Sequence, residues 1–193
     1  ARDEDFCIHY KGVNPILYDM WVCSACGYAA HADKFSDIPL REAKLILDNI
    51  TPKWKQRSFT GERSYETALE SYKLALYEYK MRGVKSSSIA GICMRIAWIY
   101  RYMNDSRETD YLNHALQHYK EAFDNEHFPV DKLDEVTVMY LIGELNRRTG
   151  NSDEAVKWFS RIVMSPEGRK NHKILELARE QWQAAKAQTT LQA

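Results

Sequence analysis

Met139-Tyr140-Leu141-Ile142-Gly143-Glu144-Leu145-Asn146-Arg147-Arg148-Thr149-Gly150-Asn151-Ser152-Asp153-Glu154-Ala155-Val156-Lys157-Trp158-Phe159-Ser160-Arg161-Ile162-Val163-Met164-Ser165-Pro166 is the stretch that decides the fold. Its apolar residues recur at helical spacing, Gly150 interrupts them midway, and Ala155 is followed four residues later by Phe159. Two antiparallel helices account for this text. Gly143 and Ala155 let them approach closely, and Phe159 fills the space beside the next pair. Asn151, with Glu154 three residues later, reads as a capping box for the second helix.

These spacings fit the tetratricopeptide pattern, and the pattern recurs upstream. Ile96, Ala97 and Tyr100 are followed by Ala115, Tyr119 and Ala122, with an insertion around Asn104 to Asp110. An earlier fragment, Ala68, Tyr72 and Ala75, supplies half of another repeat, and His172 to Ala187 fits a capping helix. The expected fold is mainly α, a tetratricopeptide-like solenoid of antiparallel helix pairs over residues 38–193. A plain amphipathic bundle is the alternative. Residues 1–37 read differently, as short aromatic and apolar runs broken by Asn14-Pro15, with Tyr18 to Val22 rich in strand formers. They are expected to form a partial zinc-ribbon-like β segment. Arg41 to Ile50 then places Ala43, Ile46, Leu47 and Ile50 on one helical face before the break at Thr51-Pro52.

Composition narrows the function classes. Twelve Tyr and 5 Trp against 8 Gly and 5 Pro favour packed helices over strands and turns. Lys plus Arg and Asp plus Glu both total 27, so no global field draws the chain to nucleic acid or an anionic membrane. No apolar run reaches the ~18 residues that a spanning helix needs. The first residue is Ala1 rather than Met, which suggests an upstream piece, and no signal-peptide core is present. Four cysteines, two of them in a Cys-x-x-Cys pair, suit metal chemistry in a reducing compartment better than a disulfide framework, so a cytoplasmic location is expected.

Cys23-Ser24-Ala25-Cys26-Gly27-Tyr28 reads as a rubredoxin-type knuckle, two thiols and a glycine that lets the backbone turn under a metal. A tetrahedral site needs two further ligands. Cys7 and His9, two apart and so on one face of a strand, are the nearest candidates within the chain. Zinc suits such soft, closed coordination, and four protein ligands make the site structural rather than catalytic. Redox work by the Cys23 and Cys26 dithiol is the competing reading, but no helix starts at the pair to activate a thiol. His114 and His118 share a helical face without the intervening Glu of a metalloprotease, so they read as surface histidines. Lys53-Trp54-Lys55-Gln56-Arg57-Ser58-Phe59 interleaves bases with aromatics; a link anchored by Trp54 and Phe59 fits it better than a nucleic-acid surface.

The N-terminal text carries a resemblance. Arg2-Asp3-x-Asp5-Phe6-Cys7-x-His9-Tyr10, Asn14-Pro15-x-x-Tyr18 and Val22-Cys23-x-x-Cys26-Gly27-Tyr28-Ala29-Ala30 resemble a bacterial family catalogued as domain of unknown function 2225. Arg63, Ala68 and Ser71-Tyr72-Lys73-x-Ala75 are similar to its helical part. The resemblance implies a zinc-ribbon-like head on a tetratricopeptide-like body, no established activity, and a second Cys-x-x-Cys pair upstream of the point where this chain begins.

The functional expectation falls on the helices. In the repeat register, Trp98, Arg101 and Tyr102 of one helix align with Tyr140, Glu144, Arg147 and Arg148 of the next. Arginines among aromatics are the residue types that form binding hot spots. A protein segment, acidic or ending in a carboxylate, suits them. The chain is therefore expected to be a non-enzymatic scaffold that binds a peptide in a helical groove. The alternatives are a metal- or thiol-dependent enzyme using the N-terminal cysteines and, more weakly, a nucleic-acid binder.

Overall fold

Helix signals dominate the chain and the structure follows them. In the computed structural model, which describes residues 1–192, α1 (Leu40–Asn49), α2 (Tyr65–Arg82), α3 (Ser86–Tyr102), α4 (Glu108–Asn125), α5 (Glu135–Arg148), α6 (Ser152–Met164), α7 (Pro166–Lys170) and α8 (His172–Gln192) account for most of the backbone. Among the described residues the sheet is one antiparallel pair, β1 (Met20–Val22) and β2 (Ala29–His31). Two compact units result: Tyr10–Glu108, and Ala1–His9 together with Thr109–Ala193.

In the unit of residues 10–108, Asn14 accepts a hydrogen bond from the Ile16 amide at 3.2 Å and opens a short 3-10 turn at Pro15–Tyr18, where Tyr18 had been expected to start a strand. Pro15 suits the first position of that turn because its fixed φ is already helical. β1 then pairs with β2 with Met20 opposite His31 and Val22 opposite Ala29. Both strands pack on α2, whose N-terminus is capped by Ser64 accepting from the Thr67 amide at 3.2 Å. Tyr72, fully buried on α2, donates its hydroxyl to the Ile16 carbonyl at 2.9 Å. Arg63 ties the same region together by donating to the carbonyls of Phe59, Leu17 and Met20. α3 packs along α2 with Ile89, Ile92, Ile96, Ile99 and Tyr100 buried.

In the other unit, α6 packs against both α5 and α8. Their core is Val136, Met139, Tyr140, Ala155, Phe159, Ile162, Ile174, Ala178 and Ala185. α4 joins through Phe123, whose ring meets Trp158 edge-on at 5.1 Å. The small residue at Gly143 works as the spacing predicts: a Cβ there would lie 2.7 Å from Phe159 Cε1. Capping differs from expectation. Asn151 makes no capping bond to α6 and turns to the Thr149 hydroxyl at 3.3 Å, whereas Asp134 caps α5 by accepting from the Thr137 amide at 2.7 Å. Ser165 and Pro166 then start α7, so the chain turns into another helix at the proline.

Gly143→Ala sets a helix-propensity gain of about 1 kcal/mol against an overpacking loss of about 1–3 kcal/mol. Because the obstacle is the fully buried Phe159 ring, the loss is expected to win. Urea unfolding should show a lower midpoint at an unchanged slope; an equal or higher midpoint would contradict the close approach.

Candidate functional site

Residues 1–9 form a small hairpin. Arg2 bridges Ile8 in antiparallel fashion, the Asp3 amide donates to the Cys7 carbonyl at 2.8 Å, and the Phe6 amide donates to the Asp3 carbonyl at 3.0 Å. Glu4 and Asp5 make the turn, and Phe6 completes it in the left-handed region at φ 74°. Three-residue hairpin loops place a residue there, normally glycine, because a side chain at positive φ costs about 1 kcal/mol or more. Phe6 holds the position because its ring has a seat: it stacks on Tyr140 at 5.4 Å, and Tyr140 in turn packs on Phe159 at 5.8 Å. Arg2 covers the outer face of Phe6 at 4.5 Å.

Polar bonds hold the same tip. Tyr140 donates its hydroxyl to the Glu4 carbonyl at 2.9 Å, and burial, followed by the charges of Glu144 and Glu4, pushes that phenol up, so it stays a donor. Glu144, fully buried, accepts from Arg147 at both carboxylate oxygens, 2.8 and 2.7 Å, and from Arg148 Nε at 2.6 Å. Arg148 reaches on with Nη2 to the Glu4 carboxylate at 2.9 Å and to the fully buried Asp5 carboxylate at 3.7 Å. Four residues expected to bind a peptide, Tyr140, Glu144, Arg147 and Arg148, thus form one α5 surface. Three of them, Tyr140, Glu144 and Arg148, hold or brace an acidic, aromatic turn, and that turn belongs to this chain.

On one side of the hairpin the ligand atoms of Asp3, Cys7 and His9 lie within 4.8 Å of one another. Cys7 is buried, while His9 meets the Asp3 carboxylate at 2.8 Å nearer the surface. Cys7 and His9 therefore share a cluster with Asp3, a residue that the sequence had not marked as a ligand.

Cys23 and Cys26 belong to the other unit, in the turn between β1 and β2. The Cys23 amide donates to the Tyr28 carbonyl at 2.8 Å and the Gly27 amide to the Cys23 carbonyl at 2.9 Å. Burial raises the Cys23 thiol, but the Cys26 and Ala25 amides and the Cys26 thiol hydrogen-bond it and draw it below its usual value. Burial holds Cys26 above its usual value, with the Tyr28 amide acting against it and the charges of Cys23 and Glu78 adding to it. Backbone amides thus favour the thiolate at both sulfurs, and at Cys26 burial outweighs them. Gly27 sits at φ 83°, and a Cβ there would fall 2.7 Å from the Trp54 ring. That indole donates to the Ser24 carbonyl at 2.7 Å, and Thr51 donates to the Cys26 carbonyl at 3.0 Å. Below the turn, fully buried Glu78 accepts the Ala29 amide at 2.8 Å.

The remaining candidates have other surroundings. Trp98, Arg101 and Tyr102 lie on α3; Arg101 donates to Glu108 at 2.8 Å and Tyr102 stacks on Tyr65 at 6.0 Å. His118 pairs with Glu121 at 2.9 Å, and His114 meets the Tyr111 ring edge-on. Along residues 53–59, Trp54 stacks on Phe59 at 6.4 Å with the Arg57 guanidinium 4.3 Å from the indole, and Arg57 also pairs with Glu70.

Residues 1–185 match the sequence model of a family described as an uncharacterized protein conserved in bacteria, DUF2225, and the chain belongs to that family. No curated protein and no solved structure matches it. Among the described residues no helix is long and apolar enough to cross a membrane.

Glu78 gives a test of the packing beneath the knuckle. Burial pushes its carboxyl up to about 8 from an ordinary 4.5, with the Ala29 amide and Arg82 opposing the rise. The folded chain thus keeps a proton that the unfolded chain has released, and stability falls as pH rises through the window from 4.5 to about 8. Glu78→Gln keeps an acceptor for Ala29 and removes the ionisation. Its stability is expected to exceed that of the wild type increasingly across that window, by on the order of a few kcal/mol at the alkaline end. Parallel melting-temperature curves against pH for the two proteins would refute this.

Proposed function

For this member of the DUF2225 family, we propose an interaction module without enzymatic chemistry, in which the α5 surface takes an acidic, aromatic turn from a partner protein. The supporting observation is the seating of Glu4-Asp5-Phe6: a ring on Tyr140, a backbone carbonyl on the Tyr140 hydroxyl and carboxylates on Arg148. A partner turn of the same chemistry replaces this one, and the tip within the chain acts as a competitor at high effective concentration. Glu144 serves as the brace. By holding Arg147 and Arg148 from beneath, it fixes two long side chains before any ligand arrives, which reduces the entropy lost on binding.

The helix pairs are read as tetratricopeptide-like, with Gly143, Ala155 and Phe159 at the pattern's close-approach positions. Cys23 and Cys26 are read as half of a structural zinc site, because amides hydrogen-bond both sulfurs and the knuckle lies in a braced turn. Ligands from outside the knuckle complete it. The balanced charge argues for a protein ligand over nucleic acid, and the compartment read from the cysteines is the cytoplasm.

A fluorescein-labelled peptide with the sequence of residues 1–10, its cysteine replaced by serine, tests the groove by anisotropy against the full chain. Phe6→Ala, which unseats the resident tip, is expected to bind it roughly tenfold or more tighter than the wild type. Adding Arg148→Ala to Phe6→Ala should abolish that gain. Absence of binding to Phe6→Ala would remove the groove as a ligand site.

A further inference from the structure

The hairpin that supplies the groove's occupant also carries a metal-ligand set. A thiol, an imidazole and a carboxylate from Cys7, His9 and Asp3 stand within 4.8 Å of one another. The backbone holds them there: the Asp3 amide bonds the Cys7 carbonyl at 2.8 Å, and the His9 amide bonds the Ala1 carbonyl at 2.8 Å. Asp3 and Cys7 thus come from opposite arms, and His9, two residues beyond Cys7, returns to the same face. Nitrogen, sulfur and oxygen donors in this combination are zinc ligands. Bond lengths of about 2.0–2.3 Å put tetrahedral donor atoms about 3.3–3.8 Å apart, so the cluster closes on an ion by side-chain rotation of about 1 Å.

We propose that Asp3, Cys7 and His9 form a three-ligand site for a zinc-class divalent cation, and that the bound ion locks the hairpin with its Glu4-Asp5-Phe6 tip in the α5 groove. The second half rests on the groove reading above. On binding, the Cys7 thiol proton leaves to solvent as the sulfur–metal bond forms, and the His9–Asp3 contact opens toward the ion. Three protein ligands leave a fourth position for water or an incoming donor. Locking follows from linkage: an ion that favours the formed hairpin over the open one favours the filled groove by the same factor. The metal is thus a latch on the resident competitor, and its removal frees the surface for a partner.

Cobalt(II) titration of the full chain carrying Cys23→Ser and Cys26→Ser isolates this cluster from the knuckle. One equivalent should bring up a thiolate-to-cobalt charge-transfer band together with the visible bands of a tetrahedral ion. His9→Ala, which alters a surface residue, should weaken binding roughly tenfold or more, and Cys7→Ser should remove the charge-transfer band. Absence of the band from the parent, or its persistence in both variants, overturns the site. The latch is then read by peptide anisotropy on the same parent protein. Zinc is expected to weaken binding of the labelled peptide severalfold, and to have no such effect once His9→Ala is added; equal affinity with and without zinc overturns the latch. Failure of the groove itself would look different: the cobalt spectrum would be intact, and the Phe6→Ala protein would bind no peptide under either condition.

Discussion

A carboxylate with no access to water governs the unit that α4 to α8 form with the N-terminal hairpin. Glu144 points from α5 and is neutralised by Arg147 and Arg148 from the same helix, one turn away. Burying a charge costs several kcal/mol, and removing one partner from such a pair typically destabilises by about 3–5 kcal/mol. The two guanidiniums are therefore held in place, and Arg148 bridges the Glu144 carboxylate to that of Glu4. The acidic turn fits because its carboxylates meet a donor already fixed in position, while its ring continues a stack that begins at Phe159 in the core. Electrostatics and packing share one helix face, and a change to either is felt by the other.

Much of this is legible in the sequence. Helical periodicity located α1 and the pair α5 and α6, and the spacing of Gly143, Ala155 and Phe159 named the close approach that the structure contains. The choice of Tyr140, Glu144, Arg147 and Arg148 as one surface came from residue type and register alone, because residues three, four, seven and eight apart share a helical face. What sequence reading missed depends on distance along the chain or on single φ angles. No local period connects Phe6 to Tyr140. The strand reading at Tyr18 yielded to Asn14, whose side chain caps a 3-10 turn over Pro15–Tyr18. Asn151 had the right neighbour for a capping box but turned to Thr149, since short polar side chains choose among several nearby backbone and hydroxyl partners.

Asp3 shows the same limit at a site. Cys7 and His9 announced themselves as ligands by type and spacing, whereas Asp3 lies within an acidic run and carried no ligand signal of its own. Only the reversal at Glu4 and Asp5 sets it opposite Cys7. The signal lay in Phe6, in retrospect: a large residue ending an acidic turn needs an external seat, and a hairpin there brings the residues on either side face to face.

The indole of Trp54 lies over the turn that carries Cys23 and Cys26, in the space a side chain at position 27 would need, and donates to the Ser24 carbonyl inside the turn. Most thiol pairs must be gathered by the ion they bind, so part of the coordination energy is consumed in ordering the loop. Here the Trp54 indole and the Thr51 hydroxyl order the loop. The turn that carries the two thiols owes its shape to side chains from further along the chain, so position 27 and position 54 can change only together.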